Sequence, residues 1–366
     1  MDSEETLVEI LDIPERILNE TKCSFSTKYH KDCTATLSDF EVEDLIDVCK
    51  SGRVKIFHGY FFIPNFPTMR FFRRRKIKIW YRYFVKKIII MDTKVINRSN
   101  KHFALKVVKK DPAFYQGIEL EIFKILDNAG PNRGIVKCEH QMETDEYTFI
   151  FEEYLLCDCD DLVSKMSLRI ARVFIERLVD ALKFLHENNI AYLDLKPANI
   201  MVDFDGNIKL IDFDSSEFLD SNLIRDTMGS LKYMAPEQVK GEFSDRSDWF
   251  SVGNMLSKIL TKKSANEKLF EKNKDSNNEE KLMSLTIVRR YKTGTKKDEN
   301  HIAAAKFIDS CLEVDPTKRI DLDAHKDCSD VEFLKDKSEG DDEEFEDFMK
   351  GYVDCILCRK TYLMVY

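Results

Sequence analysis

The sequence contains few cysteines and glycines, no long apolar run and no excess of basic residues. Ten cysteines in 366 residues are too few for a disulfide scaffold, which predicts reduced thiols and a cytoplasmic or nuclear location. No segment approaches the roughly 18 apolar residues of a membrane span, and the acidic start MDSEETLVEI is unlike a secretory signal. The net charge of −9 argues against a nucleic-acid-binding protein, whose contact surface would be basic.

The apolar content is, in contrast, sufficient for a large folded protein. Hydrophobic residues make up 43% of the chain and charged residues 34%, so the chain can bury a sizeable core. A length of 366 residues suits one large two-lobed domain or two ordinary domains.

The first 66 residues contain two helical patterns, of which the second is the clearer. Ser38 and Glu41 have the spacing of a capping box, and Gly52 stands where a helix should end. Between these signals, four apolar residues fall on one helical face: Val42, Leu45, Ile46 and Cys49. We therefore predict a helical extension over residues 1–66.

A strongly basic stretch follows, from Arg70 to Lys87, with nine bases and no acid. Its bases alternate with aromatic residues, which suits strands that have one solvated face. Exposed strand positions are the favoured interpretation, and a basic surface for phosphates or an anionic partner is the alternative. A protein partner could dock on this basic hairpin or on the N-terminal extension.

The residues that carry chemistry lie between Tyr192 and Asp214. The segment YLDLKPAN supplies Asp194, Lys196 and Asn199, and Asp212 follows 13 residues after Asn199. Phosphoryl transfer depends on positioning, charge neutralisation and metal ions that bridge phosphates. Asn199 and Asp212 offer the hard oxygen ligands that Mg²⁺ prefers. Lys196 is a compact cation for the transferred phosphate, and Asp194 can accept the proton of an acceptor hydroxyl.

These segments resemble the motifs of the eukaryotic-type protein kinase family. Residues 192–199 are similar to the catalytic loop HRDLKxxN of that family, and DFD at 212–214 is similar to its metal loop DFG. Four further segments resemble elements of the family, in the order in which the family has them. FALK at 103–106 resembles the lysine strand, and residues 229–237 resemble the end of the activation segment. Residues 248–253 resemble the DxWSxG helix start, and residues 315–319 resemble the late DPxxR element. The resemblance implies that Arg319 pairs with Glu237.

The implied fold is α+β, a two-lobed protein kinase fold. We expect a kinase-like domain over residues 67–335, with a small β-rich N-lobe (about 67–152) and a larger helical C-lobe (about 153–335). The N-lobe should hold a five-stranded sheet and one main helix. The remaining residues, 336–366, are expected to form an acidic C-terminal tail, and ATP and Mg²⁺ are the implied cofactors.

The resemblance also assigns the nucleotide-binding residues. Lys106 should pair with a glutamate on the next helix, and Glu119 is favoured over Glu121 because three apolar residues follow it on one face. Five residues are expected to surround the adenine ring: Ala104, Phe151, Glu152, Tyr154 and Met201. Among them, Phe151 would lie at the gate, and Glu152 and Tyr154 would form the hinge. Lys106 and Glu119 would act on the phosphates.

Three departures from the family pattern stand out. The glycine-rich phosphate loop is missing, because no glycine occurs between Gly59 and Gly117, and its hairpin must then fall within Trp80–Ile90. There, Arg82, Lys86 and Lys87 would hold phosphates, or nucleotide would bind weakly or not at all. Asp214 replaces the glycine of DFG, where it could perturb metal binding or point to solvent. Leu193 replaces the arginine that receives an activation-loop phosphate in the family.

The combined residues favour a Ser/Thr protein kinase of the non-RD type that uses Mg-ATP. Asp194-Leu-Lys196 and Gly229-Ser230 favour Ser/Thr over Tyr, because a short hydroxyl side chain can bridge Asp194 and Lys196. The alternative is a pseudokinase scaffold that recruits a protein partner. A small-molecule phosphotransferase is disfavoured, since segments 235–237 and 248–253 resemble a peptide-binding platform.

Overall fold

The computed structural model describes two compact units. The described residues are 22–25, 33–36, 40–48, 54–61, 102–110, 117–221, 229–263, 298–324 and 331–365, with the backbone alone described before residue 104 and after 357. The small unit comprises residues up to 120, residues 137–155 and the end of the chain from 357. The large unit comprises residues 121–136 and 156–356.

The core of the small unit is a five-stranded antiparallel sheet, as predicted. Its strands follow the order β3-β4-β5-β7-β6, and a separate two-stranded hairpin, β1-β2, precedes it in the chain. The bounds are β1 Lys22–Phe25, β2 Cys33–Thr36, β3 Phe40–Val48, β4 Val54–Phe61, β5 His102–Lys109, β6 Cys138–Glu143 and β7 Tyr147–Glu153. In β5, Leu105 and Val107 lie on one face of the sheet and are buried, and Lys106 on the other face is buried as well.

The predicted helix after Ser38 is wrong, because Phe40–Val48 form strand β3. The apolar residues that fit one helical face also fit a strand whose pairing register is interrupted at two points. The pairing with β4 shifts register between Val42 and Asp44 and again between Leu45 and Asp47. Pairing with a strand rich in β-branched and aromatic residues therefore prevails over the local helical pattern.

The phosphate hairpin predicted within Trp80–Ile90 lies outside the described residues. In the sheet, strand β5 has β4 on one side and β7 on the other. The strand that pairs with the lysine strand on one side is β4, which pairs antiparallel with β3, and Gly52 lies between β3 and β4 in the sequence. The small-unit sheet thus begins at Phe40, well before residue 67. Arg82, Lys86 and Lys87 lie outside the described residues.

Helix α1 (Ile118–Ala129) is the predicted helix after the lysine strand. Its residues Ile122, Phe123 and Leu126 are buried, and Glu121 is exposed. This is the distribution that an amphipathic helix with apolar residues at three- and four-residue spacing should have.

The large unit is mainly helical, with short strands that hold its loops. It contains β8 Cys157–Asp158, α2 Leu168–Glu187, β9 Ile190–Ala191, β10 Ile200–Val202, β11 Ile208–Leu210, β12 Glu217–Phe218, α3 Asp245–Thr261, α4 Glu299–Cys311 and α5 Glu332–Lys335. Ser167 caps α2 by accepting the N–H of Ile170, and Ser244 caps α3 by accepting the N–H of Arg246. Strand β10 lies between β11 and β8, and β12 pairs with β9.

Most of the predicted acidic C-terminal tail, residues 336–366, is helical, because Asp341–Val365 form helix α6. Phe345, Met349 and Val353 recur every four residues and are buried. Asp341 is fully buried at the start of this helix, where it accepts hydrogen bonds from Arg169 and Arg172. Because the segment is so acidic, the helical pattern of apolar residues that begins at Phe345 was not recognised in the sequence. Within the described part of the chain, no helix combines the length and apolarity needed to cross a membrane.

Candidate active site

In the small unit, the structure brings Lys106 and Glu119 into contact. Strand β5 places Ala104 and Lys106 on one face, since side chains two residues apart point the same way. The ammonium Nζ of Lys106 lies 2.8 Å from Oε1 of Glu119. Both side chains are buried, at 3% and 5% exposure, and a buried lysine of this kind needs such a partner.

The residues assigned to the gate and the hinge lie at the end of β7. Leu105 pairs with Phe151 and Ala104 pairs with Glu152 across the two strands. Phe151, Glu152 and Tyr154 are all buried, and Ala104 is partly exposed. The register of the sheet thus puts the two assigned strand segments side by side.

In the large unit, two polar side chains donate hydrogen bonds to Asp194, and a third contacts one of them. Lys196 Nζ donates to Oδ2 of Asp194 at 2.6 Å, and Asn199 Nδ2 donates to the same oxygen at 2.9 Å. Lys196 Nζ also donates to Oγ of Ser230 at 3.0 Å, which supplies the short hydroxyl that the sequence predicts here. These bonds fix the carboxylate from one side.

The other oxygen of Asp194 has a different environment. Oδ1 is buried and accepts no hydrogen bond from the described residues. Burial raises the pKa of the Asp194 carboxyl, although the charge of Lys196 and the hydrogen bonds from Lys196 and Ser230 act in the opposite direction. A carboxylate with one anchored and one unbonded oxygen is suited to accept a proton.

Asn199, Met201 and Asp212 lie on neighbouring short elements. A 3₁₀ turn, Pro197–Asn199, leads directly into β10, in which Met201 is buried and pairs with Asp158 of β8. The N–H of Ile211 donates to the carbonyl of Asn199 at 3.0 Å, which joins the two loops that carry the candidate metal ligands. Asp212 has a left-handed backbone, with φ of 61°.

An aromatic column supports the segment that carries Asp212. Phe213 packs edge-on against Phe123, with ring centroids 5.3 Å apart, and against Tyr192, with centroids 5.6 Å apart. The Tyr192 hydroxyl donates to the carbonyl of Ile211. Tyr192 therefore contributes both a packing surface and a hydrogen bond at the position where the family has histidine.

The two substituted positions of the loops are accommodated differently. Asp214 has no left-handed backbone and its side chain is exposed, so this site does not require glycine. Leu193 has a φ of 66° and is buried, and its N–H donates to Oδ1 of Asp248 at 2.7 Å.

Asp248 of helix α3 anchors the catalytic loop, and no sequence motif predicted its partners. Its carboxylate accepts the N–H groups of Tyr192 and Leu193, and Oδ2 lies 2.9 Å from Nε2 of His186. The other ring nitrogen of His186 lies 2.9 Å from Oδ2 of Asp323. Sequence reasoning missed His186 and Asp323, because only the fold brings residues so distant in the chain together.

The predicted pair of Glu237 and Arg319 is confirmed. Arg319 donates Nη1 and Nη2 to the two carboxylate oxygens of Glu237, at 2.6 and 2.9 Å. The guanidinium lies 5.0 Å above the ring of Phe250 and is buried. This bidentate contact anchors the segment that resembles the end of the activation segment.

Comparison with known proteins agrees with the geometry of both units. A family model described as the protein kinase domain matches residues 93–329, which is more than half of the chain. The chain therefore belongs to the protein kinase family. The match begins at residue 93, within the stretch of sequence between β4 and β5, so it does not include the first two strands of the sheet.

Individual relatives are serine/threonine kinases by name. The chain is 34% identical over 169 residues to serine/threonine-protein kinase AtPK2/AtPK19 of Arabidopsis thaliana, covering 43% of this chain and 34% of that protein. It is 35% identical over 185 residues to serine/threonine-protein kinase ULK3 of Xenopus laevis, covering 48% and 37% respectively. The chain spans little more than a third of the length of these two relatives.

Proposed function

We propose that the chain transfers the γ-phosphate of Mg-ATP to a serine or threonine hydroxyl of a protein, as a kinase of the non-RD type. The observation that carries this proposal is the environment of Asp194. One of its oxygens is held by Lys196 and Asn199, and the other is buried and accepts no hydrogen bond from the part of the chain that the structure describes. A purely structural aspartate would satisfy both oxygens, since an unpaired buried acceptor is costly.

The proposed chemistry divides among five side chains. Asp194 accepts the proton of the acceptor hydroxyl at Oδ1, while Lys196 neutralises charge on the transferred group. Lys106, fixed by Glu119, holds phosphate oxygens of the nucleotide. The substrate class follows from Ser230, whose hydroxyl already accepts a hydrogen bond from Lys196.

The donor set fits a magnesium ion. Nδ2 of Asn199 donates to Asp194, so the amide can offer its oxygen to a cation, and Asp212 can offer a carboxylate oxygen. Hard oxygen donors of this type, together with phosphate oxygens, are those that Mg²⁺ prefers. When bound, the ion would neutralise charge on the phosphates.

Phosphate transfer from labelled ATP to a generic basic protein tests the proposal. Asp194→Asn and Asp212→Asn should each lower the rate at least about 100-fold, because the first removes the base and the second a metal ligand. Asp205→Asn, which changes an exposed aspartate in the β10–β11 turn, is the matched control and should keep the wild-type rate. Wild-type rates in either of the first two variants would show that the assigned residues are wrong.

A thermal-shift measurement separates the kinase from the pseudokinase scaffold. A kinase should be stabilised by Mg-ATP in a manner that Asp212→Asn weakens, because ligand binding to the folded state raises its stability. Absence of both a shift and phosphate transfer in the wild-type protein would favour the scaffold.

A further inference from the structure

The carbonyl of Leu193 is held from the activation segment by the side chain of Gln238. Nε2 of Gln238 donates to this carbonyl at 3.1 Å, and both groups are buried. Oε1 of the same amide accepts the N–H of Ala235 at 2.8 Å. Gln238 is 3% exposed, so both of these bonds lie away from solvent, where their loss is costly.

A second residue of the same segment approaches the same carbonyl. Gly229 has a φ of 97°, and a Cβ at this position would lie 2.5 Å from the carbonyl oxygen of Leu193. The two ends of the segment from Gly229 to Gln238 therefore both meet the peptide that joins Leu193 to Asp194. On its other side, the N–H of Leu193 is bound by Asp248.

This arrangement bears on the position of the proposed base. The held carbonyl belongs to the peptide bond of Asp194, so a shift of this peptide would move the carboxylate. The segment also carries Ser230, which is bonded to Lys196. Leu193 has no charge with which to bind an activation-loop phosphate, and the uncharged amide of Gln238 makes the link between loop and segment.

We propose that Gln238 is a positioning residue for phosphoryl transfer, which ties the activation segment to the catalytic loop without phosphorylation. The proposal rests on the proposed kinase function. The side chain at position 238 must donate to one backbone group and accept from another, and an amide can do both. Methionine has a similar shape and can do neither well.

The experiment compares Gln238→Met with wild type and with Gln141→Met, the same change at a half-buried glutamine of β6. In Gln238→Met, kcat for a peptide substrate should fall about tenfold to a hundredfold, as expected for a misplaced catalytic group. The KM for ATP should stay within about twofold, because the residues proposed to hold nucleotide are not touched. Phosphatase-treated wild-type protein should retain its kcat.

Hydrogen exchange provides a measurement that does not need activity. Peptides covering residues 192–199 and 229–238 should exchange faster in Gln238→Met and remain as in wild type in Gln141→Met. Gly229→Ala, whose added methyl group would push on the same carbonyl, should show the same pattern and replaces Gln238→Met as the test variant if Gln238→Met does not fold. An unchanged kcat or unchanged exchange in both variants overturns the proposal. Absence of phosphate transfer in the wild type would overturn the proposed kinase function. The hydrogen-exchange rates alone would then decide whether Gln238 holds the loop at residues 192–199 in place.

Discussion

Removing His186 should abolish a pH dependence of stability that the structure builds into the large unit. The imidazole is 4% exposed and lies between two carboxylates, those of Asp248 and Asp323. Burial lowers the pKa of this ring, but the hydrogen bonds to the two aspartates outweigh it and raise the pKa from 6.5 to about 9. The folded protein therefore holds the proton more tightly than the unfolded chain does.

The size of the effect follows from the difference between the two pKa values. A rise from 6.5 to about 9 corresponds to about 3 kcal/mol, since each pKa unit is worth about 1.4 kcal/mol. Protonated His186 contributes this stability in full below pH 6.5. The contribution declines as the pH rises and is lost above about pH 9, because both states are then deprotonated.

Urea unfolding of wild type and His186→Gln at pH values from 6 to 9.5 measures the effect. When the free energies of unfolding of the two proteins are subtracted, the contributions of the other titrating groups, which both proteins share, cancel. This difference should shrink by about 3 kcal/mol across the range. Asp323→Asn, which leaves Asp248 in place, should give an intermediate dependence. Parallel curves for wild type and His186→Gln would refute the reasoning.

Three further predictions concern packing, a buried ion pair and the proposed base. Gly253→Ala should lower the free energy of unfolding by about 1–3 kcal/mol, because the new methyl would lie 2.5 Å from Cβ of Cys311; an unchanged urea midpoint would argue against this tight contact. Glu237→Ala should cost about 3–5 kcal/mol by leaving Arg319 buried without its partner, and a loss below about 1 kcal/mol would contradict that account. The acid limb of the kcat–pH profile should lie above the range of an ordinary aspartate, because burial raises the pKa of Asp194; a limb at or below that range would argue against Asp194 as the titrating base.

Much of the site could be predicted because its residues follow each other at short, fixed spacing. The choice of Glu119 over Glu121 needed only the apolar face of one helix, and helix α1 has that face buried. The contact of Arg319 with Glu237 was accessible through the resemblance to a family, although the two residues are 82 positions apart. His186 and Asp323 had no such signal, because neither local period nor motif relates them.

The first strands of the sheet show why the remainder failed. Residues 40–48 fit a helical spacing, and only the pairing with β4 and its two register shifts favour a strand. The family motifs could not correct the error, since the family match starts at residue 93. Helix α6 was missed for another reason: an acidic first turn at Asp341–Glu344 resembles a solvated tail, yet negative charge there also stabilises a helix N-terminus.

The substitution at Leu193 is tolerated because the loop is anchored through the backbone of this residue. Its N–H is bound by Asp248 of helix α3, and its carbonyl by Gln238 of the activation segment. A side chain that does not take part in either bond can change from arginine to leucine without releasing the loop. The burial of Leu193 then adds apolar contact at a place where an unpaired arginine would be costly. An uncharged residue at position 193 is therefore compatible with a loop whose backbone is bound on both sides of that residue.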